Sequence, residues 1–491
     1  MKVIRYKSLF SGILLIVAGA TAFAQPDSLW SHTYGGAEWD WFFFAEQTAD
    51  GGYINAGETG SFGAGGYDFW LVRTDANGAP LWSRTYGGSE YERCHSAAAT
   101  SDGGYVLAGD TRSFGLGDYD IWLLKVNSDG DSLWSRTFGG TESDRCLCVQ
   151  QTSDGGYILA GETSSFDVDR GDLWIVRTNS QGDSLWSNAF GGVEWDGCTS
   201  AEQTSDGGYI LAGWTRSFGA GNHDFWLVKT DENGDSLWSR TFGGADDDYC
   251  HCVHQTADGG YVLTGQTWSF GPGWHDFWLV RTDANGDSLW SRTYGGDLSE
   301  FCYCAWPTSD GGYVLVGQTQ SFGAGNFDVW LVRVSSDGTQ LWDRTFGGSE
   351  SDGCFDVRST SDGGYVLAGY THSFGTPDPY MPDSWLVKTG PDPLAAEPKV
   401  TVLPAACSIH QNYPNPFNPS TQISYYLPKM SQVRLCVYDL LGREVRLFAD
   451  EIQAAGDHSV MFDGTLLPSG IYVYRLRAGD FIEARKMVLL K

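Results

Sequence analysis

Between residues 27 and 389, apolar and polar residues alternate in short segments such as CLCVQQT, GYILAGET, DLWIVRT and DSLWSNAF. Each segment is rich in β-branched and aromatic residues and ends at a turn signal, which is the pattern of a strand. The turns TSDGGY and DANGD or DENGD supply the Gly, Asn and Asp that tight hairpins take at positive φ. Four strands make one unit: A around Cys146, B around Tyr157, C around Trp174 and D around Trp186. The unit recurs at a fixed period. The Trp of an L-W pair stands at 30, 82, 134, 186, 238, 290 and 342, always 52 apart, and the Tyr of D-G-G-Y at 53, 105, 157, 209, 261, 313 and 365. A D-x-W motif follows at Trp70, 122, 174, 226, 278 and 330, and at Trp385 after a three-residue insertion.

Seven copies of a four-stranded antiparallel unit of about 50 residues predict an all-β chain, a seven-bladed β-propeller over residues 25–390 with A innermost. A linear β-solenoid is the alternative, but it calls for shorter rungs and capped ends. The first copy starts on an L-W strand, DSLWSHTYG, and the last lacks one. The N-terminal strand is therefore expected to complete the last blade and leave no free edge. The two repeating Trp of each copy read as packing between blades. Repeating Asp residues at 50 and 68, and at their equivalents, read as pins for the A–B turn and the B–C loop.

After TGPDPLAAEP the repeat stops, which marks residues 391–406 as a linker. Strands around QISYYL, QVRLCVYD, HSVMFDG, GIYVYRLRAG and FIEARKMVLL predict a small β-sandwich over residues 407–491. At the other end, Lys2, Arg5 and Lys7 precede the apolar run LFSGILLIVAGATAFA and an A-x-A signal at Ala22 to Ala24, which predicts a signal peptide over residues 1–24. No later segment is long and apolar enough to span a bilayer. Of 31 bases and 61 acids in the chain, residues 25–395 hold 18 and 52. That acidity argues against nucleic acid or anionic membrane as a partner and leaves divalent cations open.

The repeat, Q-T-S-D-G-G-Y-V-L-A-G followed by S-F-G-x-G, D-x-W-L-V-[KR] and G-x-x-L-W, resembles bacterial secreted β-propellers over residues 27–389. The resemblance implies architecture and little about activity. NYPNPFNPST, VYDLLGREV, LPSGIYVYRL and the terminal MVLLK resemble the type A C-terminal sorting domain of the bacterial type IX secretion system. This second resemblance implies type IX machinery as the partner of residues 407–491. It also implies a secreted or outer-membrane cell-surface location after cleavage near Ala24.

Cysteines at 94, 146, 198, 250, 302 and 354 repeat at the same period, with Cys148, Cys252 and Cys304 two residues further on. Residues two apart on a strand share a face about 6.6 Å apart, too far for a disulfide, so core packing is expected. Two residues before each repeating Cys, and before Phe42 in the first copy, stands an acid: Asp40, Glu92, Asp144, Asp196, Asp248, Glu300 or Asp352. These acids are expected to ring one mouth of the central channel. They either accept hydrogen bonds from the F-G-G loops or hold a cation, calcium being the natural candidate. D-x-N-x-D in the C–D turn reads as a hairpin turn, because the downstream Glu of a calcium loop is missing.

The copies differ most in the D–A and B–C connections, which share one face of the disc. After A-G, T-G or V-G stand Glu58, Asp110, Glu162, Trp214, Gln266, Gln318 and Tyr370, and non-repeating Trp cluster nearby. Trp39, Trp195, Trp214, Trp268, Trp274, Tyr370, Arg112 and Arg216 are the candidate ligand-binding residues, because flat apolar platforms beside polar groups suit sugar or peptide recognition. The first functional reading is a non-catalytic binding or adhesion module for extracellular polysaccharide or glycoprotein. The alternative is a carbohydrate-active enzyme, hydrolase or lyase, with acids such as Asp196 or Asp248 at the channel mouth. A third is a purely structural surface protein. Against the enzyme stands the equivalence of the acids in every copy and the lack of a nucleophile motif or His cluster.

Overall fold

The computed structural model describes residues 27–490 except 167–169, 376–380, 395–406, 410–411, 413–414, 416, 428–430, 454–455, 466 and 480. The signal peptide expected over residues 1–24 and most of the expected linker lie outside the described residues. The chain divides into two compact units at Ala396/Glu397. Among the described residues there is no helix, hence none long and apolar enough to cross a membrane.

The first unit is all-β and consists of seven four-stranded antiparallel sheets. In the sheet of Asp144–Gln151 (A), Tyr157–Thr163 (B), Asp172–Thr178 (C) and Ser184–Phe190 (D), the strands pair in sequence order. Strands B and C are buried almost throughout, whereas D is exposed at alternate residues, so D is the outer edge. The last sheet takes its fourth strand from the start of the chain: Ser28–Tyr34 pairs antiparallel with Asp383–Thr389, as the repeat frame predicts.

Between consecutive sheets lie hydrophobic clusters that contain the repeating residues. Cys146 and Val149 on one sheet pack against Val106, Ala108, Ile121 and Leu123 of the sheet before. Trp122 stands 4.6 Å from Phe69 across the same kind of interface. Another cluster joins Phe42 and Trp70 of the first sheet to Val366, Ala368 and Leu386 of the last. Hydrogen bonds cross that junction from the Ala45 amide to Asp356 (3.2 Å), from the Ser361 amide to Gln47 (2.7 Å) and from the Asp40 amide to the Pro382 carbonyl (3.1 Å). First and last sheets therefore meet as any two neighbours do.

Two further devices recur. The turn Asp of D-G-G-Y takes a buried cation from strand C, as in Lys125 Nζ to Asp102 (3.0 Å) and Lys388 to Asp362 (2.9 Å), with Arg73, Arg177, Lys229, Arg281 and Arg333 in the same role. The Asp of D-x-W does pin the B–C loop, with Asp120 accepting the Leu116 and Gly117 amides, each at 2.8 Å. Past the last strand, Asp392 is fully buried, hydrogen-bonded to Arg333 (2.9 Å), Trp342 (3.1 Å) and Tyr365 (2.6 Å).

One sequence expectation fails on every strand A. The register slips between Cys146 and Cys148, which pair with Gly161 and Ala160, so residue 147 is an inserted bulge residue. The two cysteines do not share a face: Cys146 is core, and Cys148 is half-buried.

The second unit has a three-stranded and a four-stranded sheet. Ile423, Tyr425 and Phe462 of the first share one core with Leu435, Tyr474, Leu476 and Met487 of the second.

Candidate functional site

The seven innermost strands enclose one cavity of about 380 Å³, and each contributes residues to its lining. The bulge turns its inserted residue and the one after it towards this space. The inserted residues are Phe43, His95, Leu147, Thr199, His251, Tyr303 and Phe355, and all seven line the cavity. The walls are therefore different on every side, although the sheets are built alike.

The expected ring of acids is not at the mouth. Asp40, Glu92, Asp144, Asp196, Asp248, Glu300 and Asp352 are all fully buried. Each is saturated by its own repeat: Asp144 accepts from the Thr163 hydroxyl, the Ser165 hydroxyl (2.6 Å) and the Gly140 amide (2.8 Å). Glu300 likewise takes Thr319 (2.9 Å) and the Ser321 and Gly296 amides. Their acceptors are occupied by hydroxyls and amides that tie the D–A loop to the start of the B–C loop, so the position expected for these residues, ringing the channel mouth, is corrected. Among the described residues no group of three or more His, Cys, Asp or Glu is placed to hold a metal ion.

The D–A/B–C face holds the exposed aromatics. Trp274 is 75% exposed, Trp268 44% and Trp195 40%, and the Phe of each S-F-G is also exposed, whereas the A–B and C–D turns expose no large hydrophobic residue among those described. The mouth of the cavity on this face is divided. On one arc, the Trp268 ring lies tilted against His275 (4.4 Å) and His275 against Phe301 (4.4 Å), while Trp214 meets His223 edge to face (5.1 Å) and His223 meets Tyr249 at 4.5 Å. Tyr370 continues the arc to Trp41 (5.6 Å), and Trp41 to Trp39 (5.5 Å), while its hydroxyl donates to Gln318 (3.0 Å). Burial pushes the His275 imidazole down to about 4, so that ring is neutral at pH 7, while His223 Nδ1 meets the Asp247 carboxylate at 2.6 Å.

On the opposite arc the groups are charged. Arg93, Arg112 and Arg145 surround the Tyr119 ring at 5.8, 4.6 and 5.5 Å, and Arg112 also pairs with Asp118. Beneath them Glu58, Asp110 and Glu162 point to the next sheet. Asp110 accepts from the Cys146 amide (3.1 Å) and meets His95 Nε2 at 3.1 Å. Glu58 is 6% exposed, and its Oε2 has no hydrogen-bond partner. Burial pushes its carboxyl up to about 7, opposed in part by His95 and Arg93. Glu162 is also raised, again by burial first. Burial opposes charge on His95, but Asp110 and Glu58 outweigh it and hold the imidazole above its ordinary value.

Of the eight candidate residues, Trp39, Trp214, Trp268 and Tyr370 thus belong to the aromatic arc and Arg112 to the charged one. Trp195 lies against Gly171, Trp274 stands free, and exposed Arg216 bonds the Trp195 carbonyl through its amide (3.0 Å). Sequence reasoning missed the cavity lining, Phe43, His251, Tyr303 and Phe355. Its signal was present: on strand A the position after the constant Cys varies from copy to copy, which a packed core position does not.

Among curated proteins, the regulatory protein FlaEY of Caulobacter vibrioides is 27% identical over 248 residues, covering 43% of this chain and 25% of FlaEY. The chain thus spans about a quarter of that relative. Three solved structures are similar at a distance. PorZ, a surface component of the type IX secretion system of Porphyromonas gingivalis, has a TM-score of 0.42 and 12% identity, over 93% of this chain and 60% of PorZ. A eukaryotic initiation factor gives 0.32 and 8%, over 93% and 91% of the two chains. An endo-1,5-α-L-arabinanase of Thermotoga petrophila gives 0.28 and 10%, over 76% and 95%. Residues 411–490 match the family model of the secretion system C-terminal sorting domain, which marks the chain as one exported to the cell surface or beyond.

Proposed function

We propose that this chain is a non-catalytic binding or adhesion module, a seven-bladed β-propeller exported through the type IX pathway by residues 407–491. Its ligand is an extracellular polysaccharide or glycoprotein, held over the cavity mouth on the D–A/B–C face. The observation that carries the reading is the divided mouth: aromatic faces on one arc, fixed charges on the other, and no exposed aromatic on the opposite side of the unit among the described residues. Sugar rings stack their C–H faces on aromatic platforms while polar groups orient their hydroxyls. The test is a glycan array probed with the full chain and with Trp268→Ala and Trp214→Ala. Binding that falls at least tenfold in both variants supports the reading; an array on which the wild-type chain binds nothing removes it.

Glu58 favours one second reading. A half-neutral carboxyl at pH 7, beside His95 and Asp110 and without an equivalent in the other four sheets, has the asymmetry a glycosidase acid needs. Release of reducing ends from a bound glycan, lost in Glu58→Gln, would favour the enzyme over the binding module.

A further inference from the structure

The residue after each bulge, Phe44, Ser96, Cys148, Ser200, Cys252, Cys304 or Asp356, stands at the seam between neighbouring innermost strands. Where it is polar it bonds the next sheet: the Val149 amide donates to Ser96 (3.1 Å), Val253 to Ser200 (3.2 Å) and Ala201 to the Cys148 sulfur (3.4 Å). At one seam only are both neighbours thiols. Cys252 and Cys304 both line the cavity, and both sulfurs lie 3.7 Å from the Ala305 carbonyl oxygen; a hydrogen bond to Cys252 is the first of the causes that push the Cys304 thiol up. His254 Nε2 lies 3.5 Å from the Cys252 sulfur and 2.9 Å from the Ala305 oxygen, and its Nδ1 lies 3.4 Å from Glu202. The Cys304 thiol is directed at Asp356 Oδ1, 3.5 Å away.

We infer that Cys252 and Cys304 are a redox dithiol that closes to a disulfide between neighbouring sheets, with Cys252 the entering thiol and a small-molecule disulfide the oxidant. Cys252 is the more exposed of the two residues, and His254, held by Glu202 and the Ala305 carbonyl with Nε2 3.5 Å from the Cys252 sulfur, is placed to receive its proton. The thiolate attacks one sulfur of the oxidant, whose S–S bond breaks and whose first thiolate leaves with the proton Cys252 gave up. Cys304 then passes its proton towards Asp356 and attacks the Cys252 sulfur of the mixed disulfide, expelling the second thiol. Two protein thiols lose two electrons, and the oxidant becomes two thiols. The reaction suits a chain that works outside the reducing cytosol.

The full chain is incubated with oxidised or reduced glutathione, denatured, alkylated with iodoacetamide, and digested for mass spectrometry. The expected result is that two of the eleven cysteines escape alkylation after oxidised glutathione only, in one cross-linked pair of peptides carrying Cys252 and Cys304. Cys304→Ala should stop at a glutathione adduct on Cys252, and His254→Gln should slow formation of the cross-link about tenfold without changing its endpoint. Full alkylation of both residues in the oxidised wild-type chain overturns the inference, as does a cross-link from either one to Cys148. The wild-type measurement stands whether or not the variants fold.

Discussion

At the scale of single residues, the two kinds of buried acid behave oppositely, because one kind has partners and the other does not. Asp144 fills its acceptor sites with Thr163, Ser165 and the Gly140 amide. Asp144→Ala leaves those donors buried and unmet, with an expected loss of about 3 kcal/mol in urea unfolding. Since the carboxylate is already satisfied by protein donors, excess chelator should leave the melting temperature of the wild-type chain unchanged. Glu58 lacks a partner for Oε2, and its carboxyl is raised from 4.5 to about 7. Its favourable contribution is complete below about pH 4.5, where folded and unfolded chains both hold the proton, and is lost as pH climbs through about 7. Glu58→Gln should remove up to about 3 kcal/mol of that pH dependence, seen as a flatter plot of unfolding free energy from pH 5 to 8. The spacing of the acids was legible in the chain, and so was their split into constant and varying sets. Their partners were not, because the Thr and Ser that claim Asp144 lie about twenty residues on and meet it only once strands A and B pair.

At the scale of the element, the bulge on strand A decides most of what the cavity presents. It brings the Arg145 carbonyl so close to strand B that a Cβ on Gly161 would sit 1.9 Å from its oxygen. This close approach accounts for the glycine of every L-A-G or L-T-G segment, which a strand otherwise disfavours. Gly161→Ala should cost about 3 kcal/mol or more, read as a fall in the urea midpoint, and should disturb the positions of Leu147 and Cys148. Strand number, order and pairing were legible from the period and the turn residues. The bulge was not, since one inserted residue changes which side chains share a face without changing the apolar count. That is why Cys146 and Cys148 read as one face and proved to be two. The constant glycine, opposite a constant cysteine, was the trace left of it.

At the scale of the whole first unit, near-identical sheets enclose a cavity with unlike walls. Structural residues repeat because each seam needs the same packing, whereas lining residues are free to differ. The face that the loops make was legible from differences among the copies. Its division into aromatic and charged arcs was not, because the arcs join residues from several sheets around the axis. The unit also depends on its first strand. Removing residues 27–34 leaves the last sheet with three strands and an open edge at Asp383–Thr389. The shortened chain should melt well below the full chain and elute as aggregates from a sizing column.

The pairing of Ser28–Tyr34 with Asp383–Thr389 also carries a schedule. The earliest strand of this unit to be synthesised is the one whose partner is made last. The seam beside it is tied by groups as far apart as Ala45 and Asp356, 311 residues along the chain. Until the ribosome has passed that partner, the opening segment has nowhere native to go, and six sheets can form while it waits. Contacts of such long range slow folding, so the strand that comes first in the chain is expected to settle last.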